Sequence, residues 1–193
     1  MVLSNPTLPP PGPGQPAWEV ARLFPNQGQW SETDYFRLNR LTNRFVELSD
    51  GTVEVLDMPT LTHQRIVIRV HEILSAFAKK NRLGSVVLAP FPLRLHDDKF
   101  REPDVLFVSS EHEAWLTEDY AQSADLVIEV VSKGDPRRDL VVKRGEYARA
   151  GIAEYWIVDP PQRAITVLRL EKGEYQETGL TFPTNGGRAA GIN

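Results

Sequence analysis

Three side chains in this sequence have the type and the setting to do chemistry: Glu129, Asp104 and Lys143. Glu129 stands in Asp125-Leu126-Val127-Ile128-Glu129-Val130-Val131, a run dense in β-branched residues and short enough for a buried strand. Side chains alternate along a strand, so Glu129 shares a face with Val127 and Val131, while Leu126, Ile128 and Val130 line the other. Neither face is polar. An ionised carboxylate there is costly unless it binds a cation, pairs with a base or takes up a proton, and a partner Arg or Lys at a strand end is the purely structural alternative. Asp104 opens a second apolar run, Val105-Leu106-Phe107-Val108, behind Pro103, which restrains Glu102 to an extended shape. Asp after Pro is also ordinary turn chemistry. If the two strands are neighbours, however, the two carboxylates make an oxygen-ligand site suited to Mg²⁺ or Mn²⁺. Lys143 shares one flank of a helical stretch with Leu140, Tyr147 and Ala150 at about 100° per residue, beside a flank bearing Arg137, Arg144 and Ala148. Either its stem lies over the core, or its amine reaches the two acids, orients an attacking water and stabilises charge on a phosphoryl group.

The elements that must position these groups can be read from periodicity and punctuation. Ser31-Glu32-Thr33-Asp34 starts a short helix toward Leu41. Arg44 to Leu48 and Thr52 to Leu56 form a hairpin across Ser49-Asp50-Gly51. Ile66, Val70, Ile73 and Phe77 recur at helical spacing, which predicts an amphipathic helix over 61–81 ended by Gly84. Val86 to Leu95 and Pro103 to Val108 read as strands joined by the polar link His96-Asp97-Asp98-Lys99, with a short helix near Ser110 to Leu116. After Asp125 to Val131, a helix runs from Gly134-Asp135-Pro136 to Ala150 and closes at Gly151. Glu154 to Asp159, Ala164 to Leu170 and a strand near Tyr175 follow. Strands cluster and then alternate with helices, which predicts an α/β domain with a mixed central β-sheet flanked by helices.

Composition bounds the function. At 193 residues the chain is one domain's worth, expected over 17–183 between a proline-rich tail, 1–16, and a flexible end, 184–193. Lys plus Arg total 22 against 26 Asp plus Glu, so the net charge of -4 argues against indiscriminate grip on polyanions. Any nucleic-acid contact must be local, and Arg137, Arg138, Arg144 and Arg149 supply local positive charge beside Lys143. Zero cysteines remove disulfide scaffolds, thiolate nucleophiles and Cys-ligated zinc. No basic leader followed by an apolar core opens the chain, and no run approaches the roughly 18 apolar residues of a membrane helix, so the expectation is a cytoplasmic protein.

Over roughly residues 30–170 the sequence resembles the Uma family of restriction endonucleases, within the PD-(D/E)xK nuclease superfamily. The resemblance is carried by the hairpin ending in Asp50-Gly51, by Pro59 and His63 opening a long helix, and by Arg101-Glu102-Pro103-Asp104-Val105. It continues through Asp125-Leu126-Val127-Ile128-Glu129-Val130-Val131-Ser132, then Asp139, Lys143 and Tyr147, and closes with Gly151-Ile152-Ala153-Glu154-Tyr155-Trp156-Ile157-Val158-Asp159. It implies a restriction-endonuclease-like fold, Asp104 as the metal-binding aspartate and Glu129 as the second acid. The residue two after Glu129 is Val131 rather than lysine. The resemblance moves that lysine to the following helix, as Lys143, with Lys133 the competing assignment. Glu54 and His63 become site neighbours, as a further metal ligand or a water-positioning group, beside the structural alternatives of an exposed strand residue and a helix-start residue, while Glu154-Tyr155-Trp156 reads as strand packing. The implied activity is Mg²⁺- or Mn²⁺-dependent cleavage of DNA, by a homodimer on analogy with restriction enzymes. Two other readings stand beside it: a nuclease-fold protein that binds DNA or a partner without cutting, and a metal-dependent hydrolase of another substrate.

Overall fold

The computed structural model describes residues 24–42, 44–132 and 137–178. The expected tails, 1–16 and 184–193, and Lys133 lie outside the described residues. Helix α1, Glu32–Leu41, begins where expected: the Ser31 hydroxyl accepts from the Asp34 backbone N–H and the Asp34 carboxylate accepts from the Ser31 N–H, a reciprocal capping box. Strands β1, Val46–Ser49, and β2, Thr52–Val55, turn through Asp50 and Gly51, both at positive φ (52° and 78°), as a two-residue hairpin requires. A Cβ at Gly51 would stand 2.9 Å from the Gly28 carbonyl oxygen, so only glycine fits that turn.

Helix α2, Leu61–Asn81, is capped by the Thr60 hydroxyl. Its inward face matches the predicted one in part, since Ile66 and Val70 pack against the sheet. Val67 and Ala78 are buried, but Ile73 and Phe77 are 56% and 58% exposed. The helix packs on the sheet along a line through Val67 and Leu74, which leaves Ile73 and Phe77 to one side. Nor does Gly84 end it: Arg82 caps it in the left-handed conformation, and Gly84 begins β3, Gly84–Leu88, where a Cβ would collide with the Val108 carbonyl oxygen at 2.1 Å.

The expected single strand from Val86 to Leu95 is two strands in two sheets. Pro90 and Pro92 cannot donate to a ladder, so the chain leaves β3 after Leu88 and enters β4, Leu93–His96, in the second sheet. Lys99, expected in the turn, instead opens β5, Lys99–Arg101, and the turn is Asp97-Asp98. Strand β6, Val105–Ser109, runs into a 3₁₀ turn, Ser110–Trp115, and β7 is Leu126–Val130. The following helix is not uniform: Arg138–Lys143 forms a π-helical turn, and α3, Arg144–Arg149, continues it. Strands β8, Glu154–Asp159, β9, Ala164–Glu171, and β10, Glu174–Glu177, complete the described chain.

The result is α/β, as expected, built on a mixed six-stranded sheet of order β10-β9-β8-β7-β6-β3, parallel only between β7 and β8. A second, antiparallel sheet of order β2-β1-β5-β4 was not foreseen. Both faces of β7 are covered. Leu126, Ile128 and Val130 pack with Val67 of α2, whereas Val127 and Val131 pack with Tyr147 of α3, Tyr155 and Leu168. The small sheet carries its own core of Trp30, Tyr35, Val46, Leu48, Val53 and Phe100.

Candidate active site

The first question left by the sequence is whether the strands behind Asp104 and Glu129 are adjacent. They are: β6 and β7 run antiparallel with Val105 opposite Ile128, and one further step of that register sets Asp104 against Glu129. Asp104 Oδ2 accepts the Val130 backbone N–H at 2.7 Å, tying the head of β6 to the strand that carries Glu129. His63, in the first turn of α2, brings Nε2 to 3.0 Å from the Val130 carbonyl oxygen and 3.2 Å from Asp104 Oδ2. Both partners are acceptors, so Nε2 carries the proton. The hydrogen bond to Asp104 raises the imidazole's pKa above its ordinary value, against the opposing effect of burial.

Glu129 is only 3% exposed, and its Oε1 accepts from two donors, Lys143 Nζ at 2.8 Å and the Tyr147 hydroxyl at 2.6 Å. Lys143 is therefore not a lysine whose stem merely covers the core. The π-helical turn explains how it arrives there. Its i to i+5 hydrogen bonding puts residues five apart one turn apart, so Arg138 and Lys143 project to one side. Burial and the charge on Glu129 hold the Tyr147 phenol well above its ordinary pKa, so it stays a donor.

A chain of buried charges of alternating sign extends from this pair into the small sheet. Lys143 Nζ lies 3.9 Å from Oε1 of the fully buried Glu47. Glu47 also accepts from Arg138 and, at 2.8 Å, from Arg101. Arg101 forks onto both oxygens of Glu146 at 2.7 and 2.8 Å, and Lys99 reaches Glu146 at 3.0 Å. Burial raises the Glu47 carboxyl, but Lys143, Arg101 and Arg138 together outweigh it and hold the group down at about 2. Glu54 faces Arg138 at 2.6 Å, so its observed role is to satisfy that guanidinium.

Glu102 has the opposite environment. Burial, and then the charge on Glu47, push it up to about 8. Its Oε1 is 3.4 Å from Asn39 Nδ2, while Oε2 is buried with no hydrogen-bond partner. Asp104, Glu129, Glu102, His63, Lys143 and Arg138 all line one cleft of about 720 Å³. Among the described residues, no three His, Asp or Glu side chains form a ready-made metal cage.

The structure thus brings Asp104, Glu129, Lys143 and His63 together and sets Glu54 one cation away. It overturns the expected patch of four arginines: Arg138 is turned inward onto Glu47 and Glu54, and Arg144 donates to the Tyr175 carbonyl at 3.0 Å, leaving Arg137 and Arg149 exposed. Sequence reasoning missed Glu47, Arg101 and Glu102 and gave Tyr147 no role. One signal for Glu47 was available, since Val46 and Leu48 flank it as Ile128 and Val130 flank Glu129. Glu154-Tyr155-Trp156 is packing as expected, with Tyr155 fully buried. Among the described residues no helix is long and apolar enough to cross a membrane.

No protein with a curated description matches this chain. Among solved structures, it is similar to a crystal structure titled as a putative nuclease belonging to DUF820 from Anabaena variabilis ATCC 29413. The two superpose with a TM-score of 0.63 at 16% identity, over 77% of this chain and 83% of the other, which shows a shared fold. The sequence model of a family described as "Uma2: Putative restriction endonuclease" matches residues 32–187, a span that holds all of Asp104, Glu129 and Lys143. On that match over most of its length, the chain belongs to the Uma2 family.

Proposed function

We propose that this cleft hydrolyses phosphodiester bonds of DNA with the help of a divalent cation, Mg²⁺ or Mn²⁺, held by Asp104 and Glu129. The observation that carries this reading is the meeting of Lys143 with Glu129 at 2.8 Å although they stand 14 residues apart in sequence. A lysine beside the second acid is what the missing lysine at position 131 left open, and its return through the π-helical turn favours cutting over mere binding. The donor set fits a hard cation. Mg²⁺ is usually bound through one or two carboxylates and keeps waters and substrate phosphate oxygens for its remaining positions, so a third side chain is not required. The buried, unpartnered Oε2 of Glu102 lines the same cleft and becomes a further oxygen ligand only if the cation displaces the proton that its raised pKa retains. Such a cation, when bound, supplies activation of water and neutralisation of charge on the transferring phosphoryl group.

The chain's own residues do the rest. The Val130 N–H and the His63 imidazole both meet Asp104 Oδ2 and hold the carboxylate in place. Tyr147 and Lys143 grip Glu129 from the opposite side, so both acids are fixed before substrate arrives. The Lys143 ammonium lines the cleft wall, where it orients the nucleophile and stabilises negative charge on the phosphoryl oxygens. Incubation of purified protein with labelled duplex and single-stranded DNA tests the reading. Cleavage with Mg²⁺ or Mn²⁺ that stops in EDTA is expected, and intact DNA with both metals would overturn it.

A further inference from the structure

With Arg138 committed to Glu47 and Glu54 and Lys143 to Glu129, the question is what draws a polyanion to an acidic protein. We propose that the outer face of α2 is the track along which a nucleic-acid strand runs into the cleft. Its phosphates meet Arg65 and Arg69 near the site and Lys79 and Lys80 farther out. This rests on the nuclease reading and deepens it by assigning where the substrate lies.

Three observations support the track. First, α2 begins in the cleft wall, to which Thr60, Thr62, His63 and Gln64 contribute, and its first turn holds no acid to repel a phosphate. Second, Arg65, Arg69, Lys79 and Lys80 are all exposed, against a single exposed acid, Glu72. Four cations minus one anion give the helix +3, opposite in sign to the whole chain at -4. The Arg69 to Glu72 pair, at 3.4 Å with side chains 71% and 58% exposed, is a surface contact too weak to withhold the guanidinium. Third, the same face leaves Ile68, Ile73 and Phe77 at 48%, 56% and 58% exposure between the two basic ends, apolar surface that suits sugars and base faces.

Dimensions agree with this. At about 1.5 Å per residue, Arg65 to Lys79 spans about 21 Å, or about six phosphates of one strand at roughly 3.4 Å each along a duplex axis. The two ends are not equal. The Ser110 N–H donates to the Leu83 carbonyl, which brings the 3₁₀ turn with Glu111 and Glu113 to the far end, so Arg65 and Arg69 exert the stronger pull.

The test is fluorescence anisotropy with a labelled duplex of about 20 base pairs and with its single strand, without divalent metal, from about 50 to 200 mM salt. Wild type, Arg65→Glu/Arg69→Glu and a control, Arg169→Glu/Lys172→Glu, are compared after circular dichroism has shown each to be folded. The α2 variant is expected to bind at least about tenfold more weakly, with a salt slope shallower by about 1.8 on the duplex or about 1.4 on the single strand, the values for two phosphates, while the control stays within about twofold of wild type. An α2 variant with wild-type affinity and slope overturns the track. So does one whose only change is loss of a dimer in size exclusion or of binding to anionic vesicles, since the face would then serve a second copy or a membrane. If wild type cuts DNA but ignores these arginines, the track alone falls; if it neither binds nor cuts, the nuclease reading falls with it.

Discussion

The Tyr147 hydroxyl donates to Oε1 of Glu129 at 2.6 Å, in a setting where both side chains are closed to solvent. Burial keeps the phenol protonated, so this contact is a fixed donor that orients the carboxylate. Partners of this kind typically change metal affinity or activity about 10- to 100-fold when removed. Tyr147→Phe keeps the ring and its packing against Tyr155, so the fold should persist while Mn²⁺ affinity, read by calorimetry, drops by about tenfold or more. Unchanged affinity would reduce Tyr147 to packing.

Lys143 and Glu129 form a buried pair, both about 4% exposed or less. Removing one partner of such a pair leaves an uncompensated charge and costs about 3–5 kcal/mol. Lys143→Met should therefore lower stability in urea by an amount of that order. Adding Glu129→Gln to it should recover a large part, giving a coupling of at least about 1 kcal/mol in the double-mutant cycle. Additive losses would mean the two groups do not share the contact.

Glu47 and Glu102 make opposite contributions to stability as pH changes. Glu47 has a folded value of about 2, below its ordinary 4.5, so its contribution is whole above pH 4.5 and is lost as pH falls through the folded value. Glu102 has a folded value of about 8, so its contribution is whole below pH 4.5 and is lost as pH rises toward 8. In EDTA, Glu102→Gln should flatten the decline of the thermal midpoint between about pH 5 and 8 and leave the acid limb intact, whereas Glu47→Gln should blunt the acid limb. Parallel profiles for wild type and Glu102→Gln would contradict the assignment.

How far the sequence disclosed this arrangement depended on whether a local pattern or a tertiary contact set each feature. Glu129 was legible because alternation along one strand identifies both of its faces as apolar. Asp104 needed one more fact, the register of β6 on β7, which no local pattern carries. The strand break after Leu88 was signalled by Pro90 and Pro92 but looked like continuous β-propensity. Lys143 came within reach by helical spacing, yet its company did not: an angle of about 100° per residue fails across a π-helical turn, which swings Arg138 inward beside it. Glu47 stayed hidden because its burial depends on the small sheet meeting the α3 crossover, a contact between segments 54 and 91 residues apart from it. Ile73 and Phe77 have helical spacing, but which flank of a helix faces the sheet is a packing outcome.

In the proposed reaction Asp104 and Glu129 act with Lys143 on a phosphodiester with the help of a divalent cation. The most direct measurement is the single-turnover rate of Mn²⁺-dependent cleavage of labelled DNA by wild type and by Asp104→Asn, which retains the side-chain oxygen facing the Val130 N–H and so should retain the fold. Wild type is expected to cut, and the variant to be slower by on the order of a hundredfold or more at equal thermal midpoint. A folded Asp104→Asn protein that cuts at the wild-type rate would contradict the account.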